Sequence, residues 1–369
     1  DPYFSATKIA WILDQSPTRQ KKAASGNVLF GTIDSWLIWK LTGGRAHTTD
    51  FTNASRTLLY NIKSKKWDPA LLKIFKIPKA MLPEVQDSGS RFGVTARQGL
   101  LASGIPIYGV MGDQQAALYG QACYSKGQVK NTYGTGCFVV MNVGNSFQKP
   151  PFGLLSTLAC DQQGRALYAL EGSIFIAGAA VQWLRDGLHF FKKAAQTESM
   201  IRKLKDNGGI TVIPAFAGLG SPHWNPHLRG TITGITRGTT REHLIRATLE
   251  SLAHQSADVI EHMAKQTRRR FQELKVDGGA TANRFLMQFQ ADLLQVPVRV
   301  SAIQESTAWG AAKLAGITSG FWSSTRATDK ALRYRIYRPK MNSGQAVKLR
   351  AVWKREIEHL SSNRLSLSS

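Results

Sequence analysis

The feature that most constrains the fold is an alternation of short apolar runs with longer segments of helical period. The stretch "IPIYGVMGDQQAALYGQACY" is a buried strand, a Gly-Asp turn and then a helix. The stretch "FQELKVDGGATANRFLMQFQADLLQ" repeats the order of strand, glycine turn and helix. A third, "GNVLFGTIDSWLIWKLTG", pairs a strand-like start with a helix carrying Ile33, Trp36, Leu37 and Leu41 on one side. Alternation of this kind predicts an α/β fold.

The length of 369 residues predicts two domains, since single domains usually run to ~100–200 residues. We place the boundary between residues 1–121 and residues 122–369, in "QACYSKG", where the strand-turn-helix unit ends. Near the end, "SGQAVKLRAVWKREIEHL" predicts an amphipathic helix with Leu349, Val352 or Trp353, Ile357 and Leu360 facing inward. The Ser-rich residues 361–369 are predicted to fray.

The charge is the unusual part of the composition. The chain carries 48 Lys plus Arg against 24 Asp plus Glu, a net charge of +24. Such a field attracts polyanions of any kind, including nucleic acid and nucleotide phosphates. The basic residues are scattered, with Arg268 to Arg270 the densest cluster, and no nucleic-acid motif accompanies them. A general bias toward basic solvated faces is favoured over a dedicated nucleic-acid surface, which stays the alternative.

The remaining composition narrows the setting. No apolar run reaches the ~18 residues that a membrane span needs. Three cysteines (Cys123, Cys137 and Cys160) have no paired spacing, which indicates a reducing compartment and argues against a disulfide framework or a zinc site. We therefore expect a cytoplasmic protein with no membrane span.

Asp113 is the first candidate for chemistry, because it follows an apolar strand, and ligands bind at the carboxyl ends of strands in open α/β sheets. The local pattern favours a helix N-cap, a position where Asp is common. The neighbours favour chemistry: Gly112 permits a tight turn, and Gln114 and Gln115 add two hydrogen-bonding amides. A carboxylate so placed can accept a hydroxyl proton.

Gly134-Thr135-Gly136, in "TYGTGCF", lies between two strand-like runs. Its backbone N–H groups and hydroxyl could approach an anion closely. Taken alone, the pattern favours an ordinary glycine-rich hairpin.

The stretch "VDGGATAN" places two glycines at the end of a strand, with Thr281 and Asn283 at a helix start. It matches neither the dinucleotide fingerprint nor a P-loop. A nucleotide site at the helix N-terminus and a tight turn with an Asn cap are equally compatible with it.

The stretch "AGAAVQWL" clears a face of small residues, Gly178, Ala179 and Ala180, with Gln182 on the next turn. Helix packing is the favoured interpretation. Together, however, the two glycine-rich turns, the small-residue helix and the carboxylate at a strand end indicate phosphoryl transfer on an actin-like nucleotide fold.

Longer motifs sharpen this hypothesis. They run from residue 1 to about residue 322 and include "DPYFSATK", "TDFTNASRTLLYNI", "GDQQAALYGQ", "KNTYGTGCF", "ALEGSIFIAGAAVQWLRD" and "VDGGATANRFLMQFQADLL". In these motifs and in their order the chain resembles the glycerol kinases of the FGGY carbohydrate kinase family, and "TNASRT" and "NTYGTGCF" favour that group over xylulose or gluconate kinases.

The resemblance implies two actin-like (ribonuclease H-like) domains around a nucleotide cleft, and ATP-dependent phosphorylation of glycerol to sn-glycerol 3-phosphate. It implies that Asp113 is the general base, that Gln114 lies beside it, and that Tyr3 and Phe138 line the glycerol pocket. The implied nucleotide-binding residues are Gly134, Thr135, Gly136, Gly178, Gln182, Gly279, Ala280 and Asn283. Mg²⁺ would arrive with ATP, with Asp113 as a candidate ligand, and a homo-oligomer without specific nucleic-acid binding is expected.

The family motifs also include an Asp-Gln-Gly-Thr-Thr phosphate loop, an Arg-Glu pair and a Trp at the glycerol site, which these 369 residues do not contain. We therefore expect the first domain to be incomplete and the chain alone to be inactive. The alternatives are a related polyol or sugar kinase, and a basic nucleic-acid-binding protein on a degenerate kinase scaffold.

Overall fold

The computed structural model describes residues 3–267 and 271–362. The basic cluster Arg268 to Arg270 and residues 363–369 of the predicted frayed tail lie outside the described residues. The helices are α1 (Ser5–Asp14), α2 (Pro17–Ala24), α3 (Ile33–Leu41), α4 (Phe51–Ala54), α5 (Pro69–Ile74), α6 (Asp113–Gly120), α7 (Gly178–Asp186), α8 (Gln196–Ile201), α9 (Arg241–Thr267), α10 (Arg284–Leu294), α11 (Ser306–Thr318), α12 (Thr325–Asp329) and α13 (Ser343–Ser362).

Strands accompany these helices along the chain, as the α/β prediction requires, although several strands follow one another with no α-helix between them. They are β1 (Thr48–Asp50), β2 (Tyr60–Asn61), β3 (Lys66–Trp67), β4 (Glu84–Gln86), β5 (Arg91–Val94), β6 (Pro106–Tyr108), β7 (Val129–Tyr133), β8 (Cys137–Gly144), β9 (Leu155–Cys160), β10 (Ala166–Ile174), β11 (Thr211–Ile213), β12 (Thr231–Thr233), β13 (Leu274–Asp277), β14 (Val298–Ser301) and β15 (Tyr334–Tyr337).

A seven-stranded mixed sheet forms the larger part of the molecule, in the order β15-β14-β13-β7-β8-β10-β9. Strand β7 is parallel to β13 and antiparallel to β8. The register sets Lys130 opposite both Lys275 and Val140, and Val140 opposite Glu171. Because side chains alternate along a strand, Lys130, Thr132 and Glu171 share one face of this sheet, and that face is polar at its centre.

The part of the chain before β7 has a smaller core of its own. Helices α1, α2 and α5 pack around it, and short two-stranded sheets, β1-β4, β2-β3 and β5-β6, surround it. Its buried apolar residues are Ala6, Ile9, Leu13, Ala23, Leu59, Leu72, Ile77, Met81 and Leu82.

Helix α3 carries the apolar stripe that the sequence shows, but the stripe faces outward. Ile33 is 71% exposed, Trp36 55% and Leu37 53%, whereas Ser35 and Ile38 are buried. The apolar period therefore predicted the helix correctly. The face that packs inward, however, is the one that carries Ser35 and Ile38.

Helix α6 is fixed by close contact with α11. A Cβ on Gly310 would lie 1.9 Å from the carbonyl oxygen of Ala116, so the two helices touch backbone to backbone. The Thr307 hydroxyl of α11 also donates to the carbonyl oxygen of Asp113 at 3.4 Å. The start of α6 is therefore anchored on two sides, by β6 before it and by α11 beside it.

The C-terminal helix α13 forms as predicted and continues through Ser362. Of the two alternatives that the sequence left open, Trp353 is buried and Val352 is exposed. None of the helices in the described parts of the chain combines the length and apolar character needed to cross a membrane.

Candidate active site

The turn between β6 and α6 exposes the Asp113 carboxylate. Gly112 is the N-cap residue and Asp113 is the first residue of the helix, so the cap favoured by the local pattern is the glycine rather than the aspartate. Asp113 Oδ1 accepts a hydrogen bond from the backbone N–H of Gln114 at 2.8 Å, and Oδ2 lies 3.4 Å from Gln114 Nε2. The carboxylate is thus held in place while its side chain stays open to a ligand.

A buried carboxylate supports this turn from behind. Asp50 accepts hydrogen bonds from the hydroxyls of Thr52 at 2.7 Å and Ser88 at 2.6 Å and from the backbone N–H of Asn53 at 2.9 Å. The Thr52 hydroxyl in turn accepts from the backbone N–H of Gly112 at 2.7 Å. Burial raises the pKa of Asp50 to about 6, although these hydrogen bonds oppose the rise. The position of Gly112 is therefore set by a residue sixty positions earlier in the chain.

Gln114 joins the turn to the central sheet. Its Oε1 accepts a hydrogen bond from the Lys130 ammonium of β7, which also donates to the Thr132 hydroxyl at 2.8 Å. Lys130 is fully buried. Burial lowers the pKa of Lys130, and the carboxylates of Asp277, Glu171 and Asp113 oppose that change.

Tyr3 and Phe138 approach the same polar sheet face from different elements. The Arg56 guanidinium lies over the ring of Tyr3, 5.6 Å from its centroid. Arg56 also pairs in bidentate fashion with Glu171, at 2.9 and 3.1 Å. Phe138 of β8 stands opposite Ser173, two residues further along β10 than Glu171. Phe138 thus lies on β8, next to β7, and Tyr3 is linked through Arg56 to Glu171 of β10, one strand further out.

The predicted glycine loop, Gly134 to Gly136, joins β7 to β8. Its carbonyl groups accept hydrogen bonds from the start of α7: Gly178 N–H donates to Gly134 O at 3.0 Å, and Ala177 N–H to Thr135 O at 2.9 Å. A Cβ on Gly178 would lie 2.5 Å from Gly134 O, so this close approach requires glycine. Gly134 and Thr135 remain exposed, which leaves the Thr135 hydroxyl available to an anion.

A cavity of ≈ 420 Å³ opens beside this loop. Seven of the eight predicted nucleotide residues line it: Gly134, Thr135, Gly178, Gln182, Gly279, Ala280 and Asn283. The eighth, Gly136, faces β10 instead, because a Cβ there would lie 2.2 Å from Ile174 O. The two glycine-rich turns and the small-residue helix, weak signals when taken singly, thus meet around one space.

Asn283 is both a cap and a lining residue. Its Oδ1 accepts from Leu286 N–H at 2.9 Å, and its Nδ2 donates to the Thr197 hydroxyl at 3.1 Å. The two interpretations that the sequence left open, a nucleotide site at the helix N-terminus and a tight turn with an Asn cap, are therefore compatible in the structure.

Sequence reasoning missed the apolar wall of this cavity and two polar residues on α8. The missed lining residues include Val181, Leu249, Leu252, Leu286, Thr197 and Glu198. They come from four helices far apart in the chain, and nothing in the sequence marks them as a set. The sequence likewise gives no sign that Lys130 is buried, because its neighbours in β7, Val-Lys-Asn-Thr-Tyr, are mostly polar.

The candidate site offers few metal ligands. Within residues 3–267 and 271–362, no group of three or more His, Cys, Asp and Glu side chains is arranged to hold a metal ion. Mg²⁺, however, is commonly bound through one or two carboxylates together with substrate phosphates. The exposed carboxylate of Asp113 fits that kind of site.

The mixed sheet, the glycine loop and the adjoining cavity form the arrangement expected of a nucleotide-binding kinase of the α/β class. The chain belongs to the FGGY family of carbohydrate kinases. The model of the family's N-terminal domain matches residues 1–120, and that of its C-terminal domain matches residues 129–319. The division that we predict at residues 121 and 122 stays a prediction.

Individual relatives agree with this assignment. The chain is 52% identical over 358 residues to glycerol kinase 2 of Thermotoga maritima, covering 97% of this chain and 72% of the relative. It is 51% identical over 361 residues to the glycerol kinase of Desulfitobacterium hafniense, covering 98% and 73%. Among solved structures, Plasmodium falciparum glycerol kinase with ADP superposes with a TM-score of 0.91 at 35% identity, covering 98% of this chain and 72% of the other.

Proposed function

We propose that the chain is an ATP-dependent glycerol kinase, which converts glycerol to sn-glycerol 3-phosphate. The observation that carries the proposal is a glycine loop that lines a nucleotide-sized cavity and follows strand β7, whose Lys130 hydrogen-bonds Gln114 beside the open Asp113 carboxylate, in a chain 52% identical to a glycerol kinase. The cytoplasmic location and the homo-oligomeric state stay predictions.

The proposed chemistry begins at Asp113. Its carboxylate accepts the proton of a terminal glycerol hydroxyl while that oxygen bonds to the γ-phosphorus of ATP. The bond from the γ-phosphorus to the bridging oxygen breaks, and ADP leaves with the electron pair. Gln114 orients the hydroxyl, and Tyr3 and Phe138 form the apolar sides of the glycerol pocket.

The nucleotide occupies the cavity beside the glycine loop. The Thr135 hydroxyl and the loop backbone hold the phosphates, and Gly178, Gln182, Gly279, Ala280 and Asn283 surround the adenosine. Mg²⁺, if it arrives with the nucleotide, would neutralise phosphate charge, which matters in a loose transition state where positioning and electrostatics supply most of the catalysis. Asp113 is the residue that would hold it.

The test is an assay of ADP release with glycerol, xylulose and gluconate offered in turn. The chain is assayed both as it stands and joined to the part of the Thermotoga maritima relative that it does not cover. Glycerol-dependent release from the joined form supports the proposal. Release with xylulose or gluconate but not glycerol would assign a related sugar kinase instead.

A further inference from the structure

Lys130 is a buried cation that faces the proposed substrate side of the site. Its ammonium donates to Gln114 Oε1 and to the Thr132 hydroxyl, and it comes from β7, the strand that leads into the glycine loop. Nothing in the proposed chemistry uses it. A fully buried lysine is rare in proteins, because the charge loses its hydration.

The hydrogen-bonding chemistry of Gln114 explains what Lys130 does there. A carboxylate can only accept hydrogen bonds, so the amide turns its NH₂ toward Asp113, where Nε2 lies 3.4 Å from Oδ2. The amide oxygen is then left pointing into the buried sheet face. Lys130 donates to that oxygen, and in doing so fixes which way the amide points.

The surroundings hold Lys130 itself in place. Asp277, the last residue of the neighbouring strand β13, is the carboxylate that most favours its charged form, followed by Glu171 and Asp113. Asp277 is anchored by Gln121, whose Nε2 donates to Oδ2 at 2.9 Å. These carboxylates offset the charge of the ammonium, and its hydrogen bonds to Gln114 and Thr132 hold it at the turn.

We propose that Lys130 is a positioning residue, which locks the Gln114 amide with its NH₂ toward Asp113 and the substrate hydroxyl. This inference rests on the proposed function of the site. In this role Lys130 affects glycerol binding without contacting glycerol. It also connects the substrate side of the site to β7, the strand that leads into the glycine loop.

A matched control lies on the adjacent strand. Lys275 stands directly opposite Lys130 in the register, is also buried, and donates to the carbonyl oxygens of Gln121 and Ala122 at 2.9 and 3.1 Å. Lys275→Met removes a buried ammonium from the same sheet face without touching Gln114. Lys130→Met removes the ammonium that contacts Gln114.

The direct readout is the side-chain NH₂ resonance of Gln114, identified by its loss in Gln114→Ala. In the wild-type chain and in Lys275→Met we expect an ordered amide in a single orientation, and in Lys130→Met one averaged by rotation. A rotationally averaged Gln114 amide in the wild-type chain would overturn the proposal, whether or not the variants fold.

The second readout is ligand affinity. Glycerol affinity should fall roughly ten- to a hundredfold in Lys130→Met, the effect of losing a hydrogen bond to a charged group, while ADP affinity is unchanged. Lys130→Met combined with Gln114→Ala should bind glycerol no more weakly than Gln114→Ala alone.

The outcomes separate the two claims. Additive losses in the double variant, or equal losses in Lys275→Met, would overturn the positioning role. With every affinity measured on the joined form, wild-type protein that binds ADP but no glycerol, with Gln114 ordered by Lys130, would refute the proposed substrate and leave the Lys130 contact standing.

Discussion

Two adjacent glycines after β13 have different structural roles. Gly278 has φ +92°, and a Cβ there would lie 2.3 Å from the carbonyl oxygen of Tyr133. At Gly279 a Cβ would meet no atom within 4 Å, and the residue lines the cavity. A side chain at residue 279 therefore enters the cavity, whereas one at residue 278 strains the turn.

We predict that Gly279→Val lowers ADP affinity at least roughly tenfold by filling the cavity, and shifts the melting temperature by no more than about 2 °C. Calorimetric titration and thermal unfolding measure the two effects. The control is Gly278→Ala, which should lower the free energy of unfolding by about 1–3 kcal/mol through backbone strain. An ADP affinity in Gly279→Val equal to that of wild type would show that the nucleotide does not bind in this cavity.

The sequence predicted those residues of the candidate active site that lie in local motifs. Gly134, Gly178 and Gly279 stand out because each follows or opens a recognisable strand or helix. Thr52 does not, because its contact with Gly112 N–H depends on how two distant segments pack. Pattern reasoning therefore finds what touches the ligand more readily than what holds the contacting residues in place.

At the scale of elements, a buried polar cluster attaches α13 to α9. Arg350 donates to Asp258 Oδ1 at 2.5 Å and to His254 Nδ1 at 3.2 Å, and Trp353 Nε1 donates to Asp258 Oδ2 at 2.7 Å. The His254 ring stacks on Trp353 with centroids 5.0 Å apart. Burial, together with the Arg350 guanidinium, lowers the pKa of His254 to about 3.

This pKa sets the sign of a pH effect. Between about 3 and the ordinary value of 6.5 the unfolded chain binds a proton that folded His254 does not, so the free energy of unfolding falls as the pH drops through that window. Asp50, with its pKa raised to about 6, changes the free energy of unfolding with pH in the opposite direction. Its contribution is the same in wild type and in a His254 variant, so it cancels when the two proteins are compared.

His254→Gln keeps an acceptor for Arg350 but does not titrate. We predict that its loss of stability between pH 7 and pH 4.5 is smaller than that of wild type by roughly 2–3 kcal/mol, measured by urea unfolding at each pH. The same pH dependence in both proteins would show that His254 does not carry the effect.

The apolar period of the sequence predicted where helices form better than it predicted which face of each helix is buried. The apolar periods of α3 and α13 both identified helices, yet Trp36 of α3 is exposed, and Trp353 rather than Val352 packs against α9. A period gives the angle between side chains, but which side becomes the interior depends on neighbours that arrive from elsewhere in the chain.

At the scale of the whole molecule, polar contacts join the first part of the chain to the large sheet. Arg56 pairs with Glu171, which is only 1% exposed, and Ser55 lies within hydrogen-bond distance of Thr157, at 3.3 Å. Removing one partner of a buried ion pair leaves an uncompensated charge, at a cost of about 3–5 kcal/mol.

We accordingly predict that Arg56→Met lowers the free energy of urea unfolding by about 3–5 kcal/mol, with ADP affinity within about twofold of wild type because Arg56 does not line the cavity. The control is Arg165→Met, which breaks the Arg165–Asp161 pair on an arginine that is 69% exposed and should cost less than about 1 kcal/mol. Equal losses in the two variants would mean that the Arg56 pair does not secure the first part of the chain.

The central claim is that Asp113 is the base of a glycerol kinase. The most direct measurement is glycerol phosphorylation by the chain joined to the part of the Thermotoga maritima relative that it does not cover, with Asp113 intact and as Asp113→Asn, an isosteric change that removes the proton acceptor. We predict turnover with Asp113 intact, a fall of at least roughly a hundredfold in Asp113→Asn, and ADP affinity preserved in both. Turnover retained in Asp113→Asn would contradict the account.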